Sequence, residues 1–186
     1  KKGDTSTNSG SRTHYYLEKY LIDLYGGFKE VRQPIFDCDE ASTIKSDKLI
    51  ASGKKYLDLM FSRGGVLLDT EMILVNEELG YCGQPDKVWL FEKDGKIGLC
   101  VSDWKSNSKK NFEVQSWTKS MLPPFQSLPD TALSHYMLQL PLYAKLLKEI
   151  LKGTKYEDIS YFGSVIVRLS AEDNDEEFTE YRVPNS

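Results

Sequence analysis

A chain of 186 residues, 40% hydrophobic and 12% aromatic, is long enough to bury one core and gives no sign of a second, so a single domain over 1–186 is expected. The net charge of −4 excludes a passive nucleic-acid coat protein, which needs strong positive charge to displace counterions, but permits an enzyme that grips metal with carboxylates and confines positive charge to one groove. Cys38, Cys82 and Cys100 are odd in number and form no CxxC pair, which argues against a disulfide framework or zinc site; with no apolar run near the roughly 20 residues that span a bilayer and no signal-peptide core, a reduced, cytoplasmic setting away from membranes is expected.

The polar, Gly/Ser-rich opening 1–12 predicts a loose segment leading into a helix over Thr13–Tyr25, where Tyr16, Leu17, Tyr20, Leu21 and Leu24 recur at spacings of three and four before Gly26-Gly27. A second helix is expected over Ser42–Phe61. Three strand-like segments follow, 66–76, 82–93 and 96–105, rich in β-branched and aromatic residues. Lys93-Asp94-Gly95-Lys96 predicts a tight hairpin between the last two, giving an antiparallel meander. The stretch to Pro129 contains Pro123 and Pro124 and predicts a loop with short helical pieces. Thr131–Leu151 carries a helical apolar stripe with a kink expected at Pro141, and 161–170 with 177–183 predict a final hairpin around an acidic tip. The order implies an α/β fold with a mixed central β-sheet flanked by helices.

In the segment 96–105, alternation puts Leu99, Val101, Asp103 and Lys105 on one face and Cys100, Ser102 and Trp104 on the other, so an acid and an amine stand side by side at a strand end. Alone, that pair is equally well a structural salt bridge. Asp86, inside a predicted strand where Asp is disfavoured, is brought towards Asp103 by the hairpin. Two convergent carboxylates call for a cation between them, and hard oxygen ligands favour Mg²⁺ or Mn²⁺.

Gly83-x-x-Asp86, a short hairpin, Asp103-Trp104-Lys105, and Gln139-x-x-x-Tyr143 on a following helix resemble the RecB-like exonuclease branch of the PD-(D/E)XK nuclease superfamily. The stretch Gly10 to Glu18 resembles the Gly-x-x-x-His segment that opens that branch's nuclease domain. The resemblance spans residues 10–143, with the motifs in the family's order.

It implies a restriction-endonuclease-like core and metal held by Asp86, Asp103, the backbone carbonyl of Trp104 and His14. It also implies that Glu71, from a strand of the meander, contacts metal through water, and that Lys105 orients or polarises the attacking water. Gln139 and Tyr143, four apart on one helical face, are expected to reach the same site. The branch's iron–sulfur members use four cysteines, one upstream and three near the C-terminus; this chain has three in all and none after Cys100, so no cluster is expected. The implied activity is metal-dependent hydrolysis of DNA phosphodiesters, as an exonuclease in recombination, repair or phage replication. A structure-selective endonuclease with the same core, or a non-catalytic DNA-binding module, are the alternatives.

Overall fold

The computed structural model describes residues 2–114 and 117–183, with side chains described from residue 7. In chain order it has α1 (Lys2–Leu24), α2 (Glu40–Ser62), β1 (Val66–Thr70), β2 (Leu74–Asn76), β3 (Tyr81–Gly83), β4 (Lys87–Lys93), β5 (Lys96–Lys105), α3 (Lys109–Phe112), α4 (Ala132–Leu151), β6 (Ser160–Leu169) and β7 (Phe178–Val183). Five strands form one mixed sheet in the order β1-β4-β5-β6-β7, antiparallel except for the β5–β6 pair. A parallel pair needs a long crossover, and α4 lies on it.

Alternation along β4 and β5 divides the core between two faces. Trp89, Cys100 and Trp104 pack with Leu17 and Leu21 of α1 and Leu49, Tyr56, Leu57 and Met60 of α2. Val88, Leu99 and Val101 turn the other way, onto Tyr143, Leu146 and Leu147 of α4. The mixed sheet flanked by helices is therefore as the sequence predicts. So is the two-residue hairpin: Lys93 pairs with Lys96 across Asp94 and Gly95, both at positive φ (53° and 71°) as such a turn requires. Among the described residues no helix is long and apolar enough to cross a membrane.

Two expectations need correction. Residues 2–12 are not a loose segment but the first half of α1. Their small residues are poor helix formers, and tertiary contacts override propensity: Ser9 and Thr13 are buried, Asn8 Nδ2 donates to Asp37 O at 2.7 Å, and Ser9 Oγ donates to Ser42 O at 3.4 Å. The predicted strands 66–76 and 82–93 are each broken, and the fragments β2 and β3 pair apart in a two-stranded sheet. Glu71 therefore lies in the break after β1 rather than in a strand, and Asp86 lies in a bend at the mouth of β4 rather than inside it. Helix α4 runs through Pro141 without interruption, its start capped by Thr131 Oγ1 accepting from Ser134 N at 3.1 Å.

Candidate metal centre

The two strand breaks build the site. Glu71 adopts φ 50°, a left-handed backbone that a non-glycine residue holds only when its surroundings fix it. Its N–H donates to Asp86 O at 2.9 Å, and Thr70 Oγ1 donates to the same carbonyl at 2.8 Å. The two acidic residues are thus tied by backbone before either side chain is considered. Gln84 Nε2 donates to Glu71 Oε2 at 3.1 Å, steadying the carboxylate.

Helix α1 supplies the third member. His14 Nδ1 lies 3.1 Å from Asp86 Oδ1 and 3.5 Å from Glu71 Oε1. The three potential ligand atoms of His14, Glu71 and Asp86 lie within 4.8 Å of one another. Two carboxylates and an imidazole at that separation form a donor set able to hold a metal ion. Because α1 begins well before Thr13, His14 sits mid-helix, fixed by packing on α2, and not in a first turn. An open cleft of about 430 Å³, lined among others by Gly10, His14, Glu18, Arg32 and Glu71, gives access to this group.

Asp103 is adjacent but outside that trio. Its Oδ1 accepts from Asp86 N at 3.1 Å, and its Oδ2 accepts from Lys105 Nζ. The pair expected from alternation is present, and Lys105 Nζ also stands 4.3 Å from the centroid of the Tyr136 ring on α4. Trp104 reaches the centre through its amide, which donates to Asp86 Oδ2. Asp86 thus meets His14 with one oxygen and Trp104 with the other, at 6% exposure.

The electrostatics follow from burial and proximity. Burial lowers the basicity of His14, yet Asp86 and Glu71 more than offset this and raise it to about 10. Burial and neighbouring Asp86 push Glu71 up to about 7 against the pull of His14. Burial would raise Asp86 too, but His14, Lys87 and Lys105 hold it well below the usual carboxylate range. Asp103 is pushed up by burial and by Asp86, with Lys105 opposing. Without metal the cluster is thus a proton-holding site, its imidazolium standing where a metal's charge would compensate the acids.

Gln139 and Tyr143 do not touch the trio. Gln139 Nε2 donates to Tyr143 Oη at 2.5 Å, so the two partner each other first. Tyr143 connects to the site through the backbone of Gln84, whose side chain holds Glu71, and burial together with the Asp103 charge pushes its hydroxyl above the usual range. Its ring lies against Gly83, where a Cβ would sit 2.4 Å from two ring carbons. That contact explains the glycine of Gly-x-x-Asp.

Sequence reasoning missed three residues. Gln84 carries no periodic signal. Tyr136 shares the helical face of Tyr143 and reads as plain core. Lys87 follows Asp86 and reads as an ordinary surface strand lysine, but is wholly buried: its Nζ lies 3.3 Å from the Trp104 ring centroid and has no hydrogen-bond partner among the described residues. Burial lowers its pKa to about 8, against the pull of Asp86 and Asp103.

A larger cavity of about 640 Å³ lies elsewhere, lined among others by Tyr56, Cys100, Tyr161 and Arg182. It shares no residue with the metal centre, and burial pushes the Cys100 thiol up to about 12, too high for a nucleophile at neutral pH. Size alone does not make it the site. Comparisons with family models, curated proteins and solved structures found no match to this chain.

Proposed function

We propose that the chain is a divalent-metal-dependent DNA nuclease with a restriction-endonuclease-like core of PD-(D/E)XK type, acting as an exonuclease. The observation that carries this reading is the convergence of His14, Glu71 and Asp86 within 4.8 Å, with Asp103 and Lys105 hydrogen-bonded to each other beside Asp86. Hard carboxylate oxygens with one imidazole suit Mg²⁺ or Mn²⁺, the nitrogen favouring Mn²⁺.

A divalent ion held there supplies acidity to water and positive charge to a phosphodiester. The residues do the rest. His14 would hold the ion through an imidazole lone pair once deprotonated, and Asp86 and Glu71, one from each strand break, would supply anionic oxygens. Asp103 keeps its place by accepting the Asp86 N–H. Lys105, whose ammonium bonds Asp103 beside Asp86, would offer its positive charge to the phosphate or to the attacking water. Lys109 and Lys110, exposed on α3 just beyond the end of β5, suit contacts with the DNA backbone.

The test is cleavage of linear and covalently closed circular DNA with Mg²⁺, Mn²⁺, Ca²⁺ or chelator. Degradation of linear DNA alone, with Mg²⁺ or Mn²⁺ but not Ca²⁺, is the expected result. Nicking of closed circles would replace the exonuclease by an endonuclease, and full cleavage in excess chelator would remove the metal mechanism altogether.

A further inference from the structure

Lys87 has no role in the chemistry above, and it is costly to keep. A fully buried ammonium loses its hydration, and among the described residues it gains no hydrogen bond in return, but lies against the face of the Trp104 ring. Asp86 and Asp103 attract the ammonium but give it no hydrogen bond, and without one such attraction does not repay the lost hydration of a buried charge. The fold therefore does not need this charge.

Its position relates it to the metal centre. Lys87 follows Asp86 directly and pairs with Ser102, the neighbour of Asp103. Alternation turns Lys87 to the α1–α2 face with Trp89, Ser102 and Trp104, whereas Lys105 stands on the α4 face with Asp103. The buried carboxylates of Asp86 and Asp103 consequently lie between two ammonium groups, one on each side of the sheet. Lys105 has a carboxylate to bond and is partly exposed; Lys87 has neither advantage among the described residues. The ring it lies on belongs to Trp104, whose amide holds Asp86 Oδ2.

Charge counting gives this second ammonium a consequence. Three carboxylates, Glu71, Asp86 and Asp103, are balanced by one divalent ion and Lys105, with His14 neutral as a ligand. Lys87 leaves the loaded centre with one surplus positive charge in a poorly hydrated setting, which matches the single negative charge of a phosphodiester.

We propose that Lys87 is a positioning residue of this metal centre: a fixed buried charge behind Asp86 and Asp103 that weakens the hold on the cation and makes the loaded site accept an anionic phosphodiester. The proposal rests on the metal-nuclease reading above. It implies that the chain trades both stability and metal affinity for anion binding.

The experiment compares wild type with Lys87→Met and Lys87→Gln in three measurements: thermal melting, Mn²⁺ titration by calorimetry, and affinity of the Ca²⁺-loaded protein for a short DNA duplex. Both variants are expected to melt at or above the wild-type temperature. They should bind Mn²⁺ about tenfold more tightly or better, because a like charge close to the cation is gone, and bind the duplex at least about tenfold more weakly. A merely structural lysine would show the opposite, a lower melting temperature with Mn²⁺ affinity unchanged or reduced, and that result overturns the proposal. Failure of both variants to fold also overturns it, since its premise is that the charge costs stability. Unchanged duplex affinity in both variants removes the anion-accepting role. If Mn²⁺ binding tightens while Ca²⁺-loaded wild type ignores DNA, the charge-setting role stands and the nuclease reading falls. Wild type that binds no Mn²⁺ ends both.

Discussion

Asp103 and Lys105 stand two residues apart on one strand, placed together by nothing more than the pleat of β5. His14, Glu71 and Asp86 are drawn from a helix, a strand break and a bend, and meet only because α1 packs on the sheet and the Glu71 N–H reaches the Asp86 carbonyl. The first pair survives any change that leaves β5 in its sheet. The trio depends on several long-range contacts at once, so it should answer to distant perturbation where the pair does not. The substitutions below separate the two.

Breaking the trio at its centre has the largest effect. Asp86→Asn keeps the shape and the acceptor for the Trp104 amide but removes the charge that both His14 and a cation require. We expect loss of measurable Mn²⁺ binding by calorimetry and a fall in cleavage of roughly 10³-fold or more. The His14 titration followed by NMR should move well below that of the wild type, because Asp86, the main partner that raises it, has lost its charge. A variant that still binds Mn²⁺ normally places the cation elsewhere.

Breaking the local pair comes next. Lys105→Ala removes an ammonium that bonds Asp103 and lies over the Tyr136 ring. Cleavage should fall by roughly 10²-fold, a transition-state loss, while melting temperature changes little. Duplex affinity in Ca²⁺ should fall far less than the rate. Near-normal cleavage, or unfolding, would reduce Asp103 and Lys105 to a structural salt bridge.

The contrast between pair and trio also explains what the sequence disclosed. Asp103 and Lys105 were legible because strand alternation is a local rule, and the hairpin was legible because Asp94-Gly95 meets a stringent backbone demand. The mixed sheet followed from element order. The backbone of Glu71 was not legible: its left-handed conformation is imposed by the Asp86 carbonyl, and no residue near it signals a break. The start of α1 was hidden for a similar reason, since small polar residues that favour loops locally are the ones that let α1 pack closely on α2 near Ser42. Lys87 was invisible because burial of a lysine beside an aspartate depends on which face of the sheet is covered. Local rules fixed half of the site, and long-range packing wrote the other half.

A milder perturbation tests whether the α4 flank belongs to the site. In Gly83→Ala the new Cβ falls 2.4 Å from the Tyr143 ring, so the ring must move and the Gln139–Tyr143 hydrogen bond with it. Overpacking of this kind costs about 1–3 kcal/mol. Displacing Tyr143 also disturbs the backbone of Gln84 and hence Glu71, so cleavage should drop about tenfold through misplacement. Adding Tyr143→Ala relieves that clash but leaves a cavity beside Val88, Leu99 and Val101, so the double mutant should be less stable than wild type yet more stable than the sum of the singles. If that coupling in stability appears while Tyr143→Phe alone already lowers cleavage, the tyrosine hydroxyl itself acts in the reaction.

The smallest expected effect is a pH dependence that only the trio can produce. Glu71 has its pKa raised to about 7 in the metal-free fold, so the stability from its bound proton is complete below its unfolded value of 4.5 and is lost as pH rises through 7. His14, raised to about 10, keeps its proton throughout the neutral range, while the unfolded chain releases it above 6.5; its contribution is complete below 6.5 and begins to decline above that. Both signs agree: the metal-free protein should lose stability steadily from pH 5 to about 7.5. A bound cation replaces those protons, so Mn²⁺ should raise the melting temperature little at pH 5.5 and progressively more towards pH 7.5. Asp86→Asn should flatten both trends, whereas Lys105→Ala should leave them in place, because Lys105 is not a proton store in this range. Melting curves of the three proteins with and without Mn²⁺ across this range decide it. A Mn²⁺ effect that does not vary with pH would mean that His14 and Glu71 are not displaced from their protons by the metal.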